Sequence, residues 1–347
     1  MRKNILFNTT RQWNVGDQII MLGILRLLRH LDFNIFIYNR HPTIWGKGGD
    51  NSFSSGDHSL KNIDYYISAG TPEWTDKRLE PLFDELLKRK IPTSFIGLGV
   101  AGQDELFNFP SLMNVIEQAD VLTARDMPAY KTIAPLGGHL LPCPGFLCGE
   151  LPIKPRTKLN TIGLIFLTAE NKHNAISITN EIELINGYKA VIAEYNAIII
   201  CHYIDEALMA KDYFPDTPIF YSYDAKDFEK FYSRCDLVIG PRLHGVLLAA
   251  GIGIPSFITR EYDQGGEARR LGATEPLEIP SLITSSPAAF LDAIKNIDIE
   301  KESERLIDLR YKTEATYLTL LSMRMQSLYD TPFLKTQVRL NVDNLKT

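Results

Sequence analysis

Apolar and polar positions follow two rhythms along this chain. Short runs of apolar, often β-branched residues read as buried strands, and longer stretches with apolar residues every three to four positions read as amphipathic helices. The pattern predicts a strand over 4–8, then a helix opened by Asp17 as N-cap and carrying Ile19, Leu22, Leu25, Leu28 and Leu31 on one face. Strands follow over 33–38, 63–68, 92–100, 121–123 and 140–146, with helices over 78–90, 112–118 and 128–136. Residues 150–160 hold Pro152, Pro155 and four charges with little periodicity, and read as a linker. The alternation then restarts with strands over 161–167, 197–201, 219–221, 236–239 and 254–259. Helices separate them over 182–194, 204–213, 226–233 and from Leu243 onward. Two more helices are predicted over 287–294 and 301–329, the second with Ile307, Tyr311, Ala315, Leu318, Leu321, Met325 and Leu328 as a core stripe. Strands alternating with helices imply parallel, doubly wound sheets. The expected organisation is a Rossmann-like domain over 1–150, a second over 151–330 with the last helix, and a tail over 331–347.

Composition narrows the class. A chain of 347 residues suits two domains that each bury a core. Hydrophobic content of 45% and charged content of 23% are those of a globular protein in water. A net charge of −5 argues against broad nucleic-acid binding. Cys143, Cys148, Cys201 and Cys235 show no zinc-type spacing, no ligand cluster calls for a metal, and so few cysteines suit reduced thiols. The first ten residues carry only Ile5-Leu6-Phe7 as an apolar run, too short for a signal peptide, and no segment reaches membrane-spanning length. A cytoplasmic location is expected.

The stretch with most chemistry runs from Asp236 to Ile258. It reads as strand, Gly240-Pro241 turn, helix, then a strand after Gly251 and Gly253, with Arg242 and His244 in the helix's first turn. A helix N-terminus at a strand's carboxyl end offers free N–H groups and partial positive charge, a seat for phosphate or carboxylate to which Arg242 adds a forked cation. His244 is suited to proton exchange near neutral pH. Taken singly, Arg242 paired with an acidic neighbour and His244 half-buried and satisfied are the simpler readings. Together in one turn they favour a site.

Four motifs in order resemble those of the polysaccharide pyruvyltransferase family. They are Asn14-Val15-Gly16-Asp17, Ala124-Arg125-Asp126 with Tyr130 and Gly137, the Leu141–Phe146 segment, and Arg242-Leu243-His244-Gly245. The resemblance implies a GT-B-like fold, two Rossmann-like domains with parallel sheets facing across a cleft. It implies transfer of pyruvate from phosphoenolpyruvate, as a ketal, to a sugar of a cell-surface polysaccharide or its precursor, free or lipid-linked. No cofactor beyond this donor is called for. With the matched motifs, catalysis is expected of His244 and Arg242, donor binding of Arg242, Leu243, Gly245 and Arg125, and acceptor binding of Asn14, Gly16 and Asp17, while Trp74, beside a strand end, is expected to stack on the acceptor sugar. For Arg125 a structural ion network with Asp126 competes with anion binding, and for Asp17 helix capping competes with a sugar contact. Trp13 and Trp45 are further stacking candidates, His202 reads as structural, and acceptor choice is expected in the 39–61 loop and the N-terminal half.

The chain departs from the family pattern in three places. Ala69-Gly70-Thr71-Pro72 replaces a glycine-rich run, and Cys143 stands for an expected aspartate. A lysine expected after Tyr262 is missing, with Arg260, Arg269 and Arg270 as substitutes. Two other readings stay open: a transferase of the same architecture using a nucleotide sugar, for which Glu261 or Glu267 would grip a ribose, and an inactive family member that binds glycan or a partner enzyme.

Overall fold

The computed structural model describes residues 3–8, 14–29, 33–37, 60–70, 79–99, 110–150, 153–168, 178–260, 272–283 and 286–325. They sort into two compact units, Met1–Pro144 with Lys312–Thr347, and Gly145–Tyr311.

The described residues of the first unit form six strands: β1 (Lys3–Asn8), β2 (Phe33–Ile37), β3 (Tyr65–Ala69), β4 (Thr93–Leu98), β5 (Val121–Ala124) and β6 (His139–Leu140). All pair in parallel, in the order β2-β1-β3-β4-β5-β6. Its helices are α1 (Val15–Leu27), α2 (Glu80–Arg89), α3 (Pro110–Glu117) and α4 (Met127–Ile133). β3, β4 and β5 are buried along their whole length, as expected of parallel strands covered on both faces. Tyr66, Phe83 and Phe95 pack as an aromatic trio with centroids 6.1–6.4 Å apart.

The second unit repeats the plan with β7 (Ile162–Phe166), β8 (Ala197–Cys201), β9 (Ile219–Tyr221), β10 (Leu237–Gly240), β11 (Ser256–Arg260) and β12 (Ser281–Ile283), all parallel in the order β12-β11-β10-β7-β8-β9. Its helices are α5 (Ile178–Glu194), α6 (Ile204–Tyr213), α7 (Ala225–Tyr232), α8 (Leu243–Gly251) and α9 (Pro287–Asn296), and it shares α10 (Ile299–Arg324) with the first unit. In each sheet the strand order reverses once, between β1 and β3 and between β7 and β10. Such switch points open a crevice beyond the strands' carboxyl ends, where ligands of open parallel sheets bind.

Four expectations need correction. The boundary falls after Pro144 rather than near 150, because residues 145–149 belong to the second core. Arg310, fully buried, donates to the Leu147 and Gly149 carbonyls at 2.8 and 3.1 Å, and the end of α8 closes on the Phe146 carbonyl so tightly that only Gly251 fits. α10 does not lie wholly in the second unit either. From Lys312 onward it joins the first, where Glu314 pairs with Arg26 at 3.8 Å and the Tyr317 hydroxyl donates to the Pro142 carbonyl at 2.8 Å. Its buried face is therefore Ser303, Leu306, Arg310, Thr313, Glu314, Tyr317, Leu321 and Met325, whereas Tyr311 of the predicted stripe is exposed. The sequence pattern misplaced the face because two charged residues occupy it. The predicted 140–146 strand shrinks to His139–Leu140, since Pro142 and Pro144 lack a ladder donor and Pro144–Leu147 coil into a 3-10 turn. Finally, the N-cap of α1 is Asn14, whose Oδ1 accepts from the Gly16 N–H at 2.9 Å; Asp17 is buried in the first turn. β12 was not anticipated, being three residues long and without periodicity.

Candidate functional site

β10 is buried throughout and ends at Gly240; Pro241, fixed in φ and lacking an N–H, turns the chain into α8. Arg242 takes the N-cap position with extended backbone. A guanidinium has no acceptor, so it caps nothing with its side chain. That first turn, Leu243 to Gly245, stands at the carboxyl edge of the sheet beside the switch point.

Arg242 is buried and committed. Its Nη2 pairs with Oε1 of Glu206, itself fully buried, and its guanidinium lies 4.7 Å from the Tyr203 ring centroid. Glu206 sits in the first turn of α6 and turns its other oxygen, Oε2, to the backbone N–H groups of His202 and Tyr203 at 3.0 and 3.2 Å. One carboxylate thus caps α6 and orients the arginine at the start of α8. Burial pushes the Glu206 carboxyl upward, and the Arg242 charge and hydrogen bond pull against that rise.

His202 lies beneath the same turn. It is buried, its Nε2 shares a hydrogen bond of 2.9 Å with the Tyr232 hydroxyl, and its ring meets Phe228 edge-on at 4.7 Å. Burial holds its pKa well below the ordinary histidine value, with the charges of Arg242 and His244 adding to the effect. Gly245 is required here, because a Cβ at that position would collide with the Tyr232 hydroxyl and crowd the His202 ring. His244 is half-buried. Of the second unit's predicted residues, Arg242, Leu243, His244 and Gly245 therefore share one turn, and His202 underlies it. Sequence reasoning missed Glu206, Tyr203 and Tyr232. Only Glu206 left a signal, as an acidic residue in a first helical turn.

The first unit's candidates stand at the carboxyl ends of its own sheet. Asn14 and Gly16 form the cap of α1, after β1. Arg125 follows β5, is buried, and extends Nη1 to the Cys143 Sγ at 3.9 Å, so the cysteine in the aspartate's place still meets the arginine, as a weak acceptor. Asp126 caps α4 by accepting from the Ala129 N–H at 2.9 Å. Both Arg125 and Asp126 close on Gly99, where a Cβ would strike guanidinium and carboxylate. Trp13, Trp45, Trp74, Thr71-Pro72, residues 39–59, Glu261, Tyr262, the 263–267 segment, Arg269, Arg270 and the 331–347 tail lie outside the described residues, as does the side chain of Arg260. Among the described residues no cluster of His, Cys, Asp and Glu could hold a metal, and no helix is long and apolar enough to cross a membrane.

A family model described as polysaccharide pyruvyl transferase matches residues 14–261. No curated protein matches the chain. Among solved structures, the UDP-GlcNAc 2-epimerase from Neisseria meningitidis bound to UDP-GlcNAc superposes with a TM-score of 0.58 at 11% identity, covering 93% of this chain and 100% of that one. A putative UDP-N-acetylglucosamine 2-epimerase from Listeria monocytogenes gives 0.59 at 11% identity, covering 94% and 98%. The glycotransferase of kitacinnamycin gives 0.51 at 9% identity, covering 93% and 99%. These likenesses carry the fold, two parallel-sheet α/β units of the GT-B-like class.

Removing one partner of a buried pair strands the other charge. Glu206→Ala and Arg242→Ala should each cost about 3–5 kcal/mol of stability in urea denaturation, and the double variant should cost less than their sum. Strict additivity would contradict the pairing. His202 gives a second test. Below the ordinary value of 6.5 the unfolded chain takes up a proton that folded His202 refuses, so stability rises with pH through that window and is lost as pH falls. Glu206 acts with the opposite sign over the carboxylate range. Thermal melts from about pH 7.5 to about pH 5.5 should show the histidine slope, and His202→Gln should flatten it. An unchanged slope in that variant would contradict the assignment.

Proposed function

The chain belongs to the polysaccharide pyruvyl transferase family, and from that premise we propose that it transfers the pyruvyl group of phosphoenolpyruvate to two hydroxyls of one sugar, closing a ketal. The acceptor in this reading is a cell-surface polysaccharide precursor, free or lipid-linked, and the reaction runs in the cytoplasm. The observation that carries the proposal is the placement of Arg242 and His244 in one helical turn at the switch point of the second sheet.

The donor's phosphate or carboxylate sits against the first turn of α8, held by the Leu243–Gly245 amides and the fork of Arg242. Within the first unit, Arg125 is an anion-binding candidate, and Asn14, Gly16 and Asp17 belong to the acceptor. His244 works as general acid and base. It delivers a proton to the enol methylene, which becomes the methyl group, as positive charge develops at C2. One sugar hydroxyl bonds to C2 and gives up its proton, restoring the one His244 supplied. The second hydroxyl then bonds to C2 as the C2–O bond to phosphate breaks, and its proton leaves with the phosphate. The products are the cyclic ketal and inorganic phosphate, with no net oxidation.

Arg242 orients charge and His244 moves protons, so the two should separate on binding. Phosphoenolpyruvate should bind the wild type saturably in calorimetry. Arg242→Lys, which keeps the charge but loses the fork, should weaken binding about tenfold or more, and His244→Ala should leave it within about threefold. UDP- and GDP-sugars titrated alongside should not compete. A nucleotide sugar that binds where phosphoenolpyruvate does not would replace this reading with a glycosyl transfer.

A further inference from the structure

The hydroxyl of Thr168 is unexplained by packing. The residue is fully buried, and its Oγ1 has no hydrogen-bond partner among the described residues. Buried hydroxyls are rarely left so, because each forfeits its bonds to water without recompense. Valine has nearly the same shape and would fill the position at no such cost.

Its position supplies a reason. β7 lies between β10 and β8, with Leu164 paired to Ile239 and Phe166 to Cys201. Thr168 stands two residues past the end of β7, as Tyr203 stands two past β8 and Arg242 two past β10. Arg242 reaches Tyr203 and Glu206, so its side chain spans the end of the strand that carries Thr168. Thr168 is thus the residue that β7 contributes to the switch point. The first unit offers a parallel at its own switch point, within the strand rather than past its end. Asn8 ends β1 at the other switch point, is buried, and its Oδ1 also has no partner among the described residues. Two sheets with different strand orders each leave one side-chain oxygen unspent where a ligand of the fold would sit.

We propose that Thr168 is a ligand-binding residue, donating its hydroxyl hydrogen to an oxyanion seated at the first turn of α8. The demand for such a donor follows from the Glu206 pair. Arg242 shares its charge with a buried carboxylate, so neutral donors must hold more of the anion than a lone arginine would leave to them. The inference rests on the donor-site reading above for the ligand's identity, although the hydroxyl's role applies to any phosphate or carboxylate at that turn.

The test uses Thr168→Val, which removes the hydroxyl and keeps the shape, and Thr168→Ser, which keeps the hydroxyl. Phosphoenolpyruvate, inorganic phosphate and pyruvate are titrated separately into the full chain by calorimetry, and each variant is melted without ligand. Thr168→Val is expected to be at least as stable as the wild type yet to bind about tenfold more weakly, with Thr168→Ser close to wild type. Loss on phosphate but not on pyruvate would assign the hydroxyl to the phosphate group, and the reverse to the carboxylate. A less stable Thr168→Val would show an internal partner and overturn the proposal, as would unchanged affinity. Wild type that binds phosphate or pyruvate but not phosphoenolpyruvate would remove the pyruvyl-donor reading and still judge Thr168 on the smaller anion. Wild type that binds none of the three would overturn both.

Discussion

A buried guanidinium needs a counter-charge or acceptors around it, and in the second unit the counter-charge of Arg242 ties three strand ends together. Glu206, at the start of α6 after β8, holds Arg242, at the start of α8 after β10, across the end of β7. The same carboxylate takes the N–H groups of His202 and Tyr203, so the turn into α6 and the orientation of Arg242 are set by one side chain. Taking both charges out of water is costly, and a pair of apolar residues could give as much stability. What the pair supplies that they could not is a forked cation fixed in direction at a helix N-terminus, where the N-cap side chain itself makes no capping bond.

The layers below that turn serve the same end. Tyr232 and Phe228 of α7 confine His202, whose neutral ring then fits under α8 without adding another charge beside Arg242. Gly245 allows α8 to settle onto that ring and hydroxyl, and Gly251 lets its far end close on the Phe146 carbonyl. The helix is positioned at both ends by contacts that admit no Cβ. A site built on such a helix is rigid before a ligand arrives, which is what precise placement of a reacting group needs.

Much of this was legible in the sequence, and the reasons for the remainder are physical. The strands from β7 to β11 were found within two residues because parallel strands buried on both faces write continuous apolar runs. The turn of Arg242 to Gly245 stood out because Gly240-Pro241 punctuates strand and helix sharply. α10 was misread because Arg310 and Glu314 face inward, satisfied by the carbonyls of Leu147 and Gly149 and by Arg26, which periodicity of apolar residues cannot register. The cap of α1 fell to Asn14 rather than Asp17 because the helix starts at Val15, ahead of Ile19, where the predicted apolar face begins. Glu206 was invisible as the partner of Arg242, since 36 residues separate them and only strand order brings them together.

The central claim is that an anion of the donor sits at the first turn of α8. Amide hydrogen exchange with and without phosphoenolpyruvate addresses it most directly, since it reads the backbone donors themselves. The account predicts slowed exchange at Leu243, His244 and Gly245 on saturation, with the amides of Val15, Gly16 and Asp17 at the start of α1 unaffected until an acceptor is added. Protection at the start of α1 instead, or no protection at either helix with donor demonstrably bound, would contradict it.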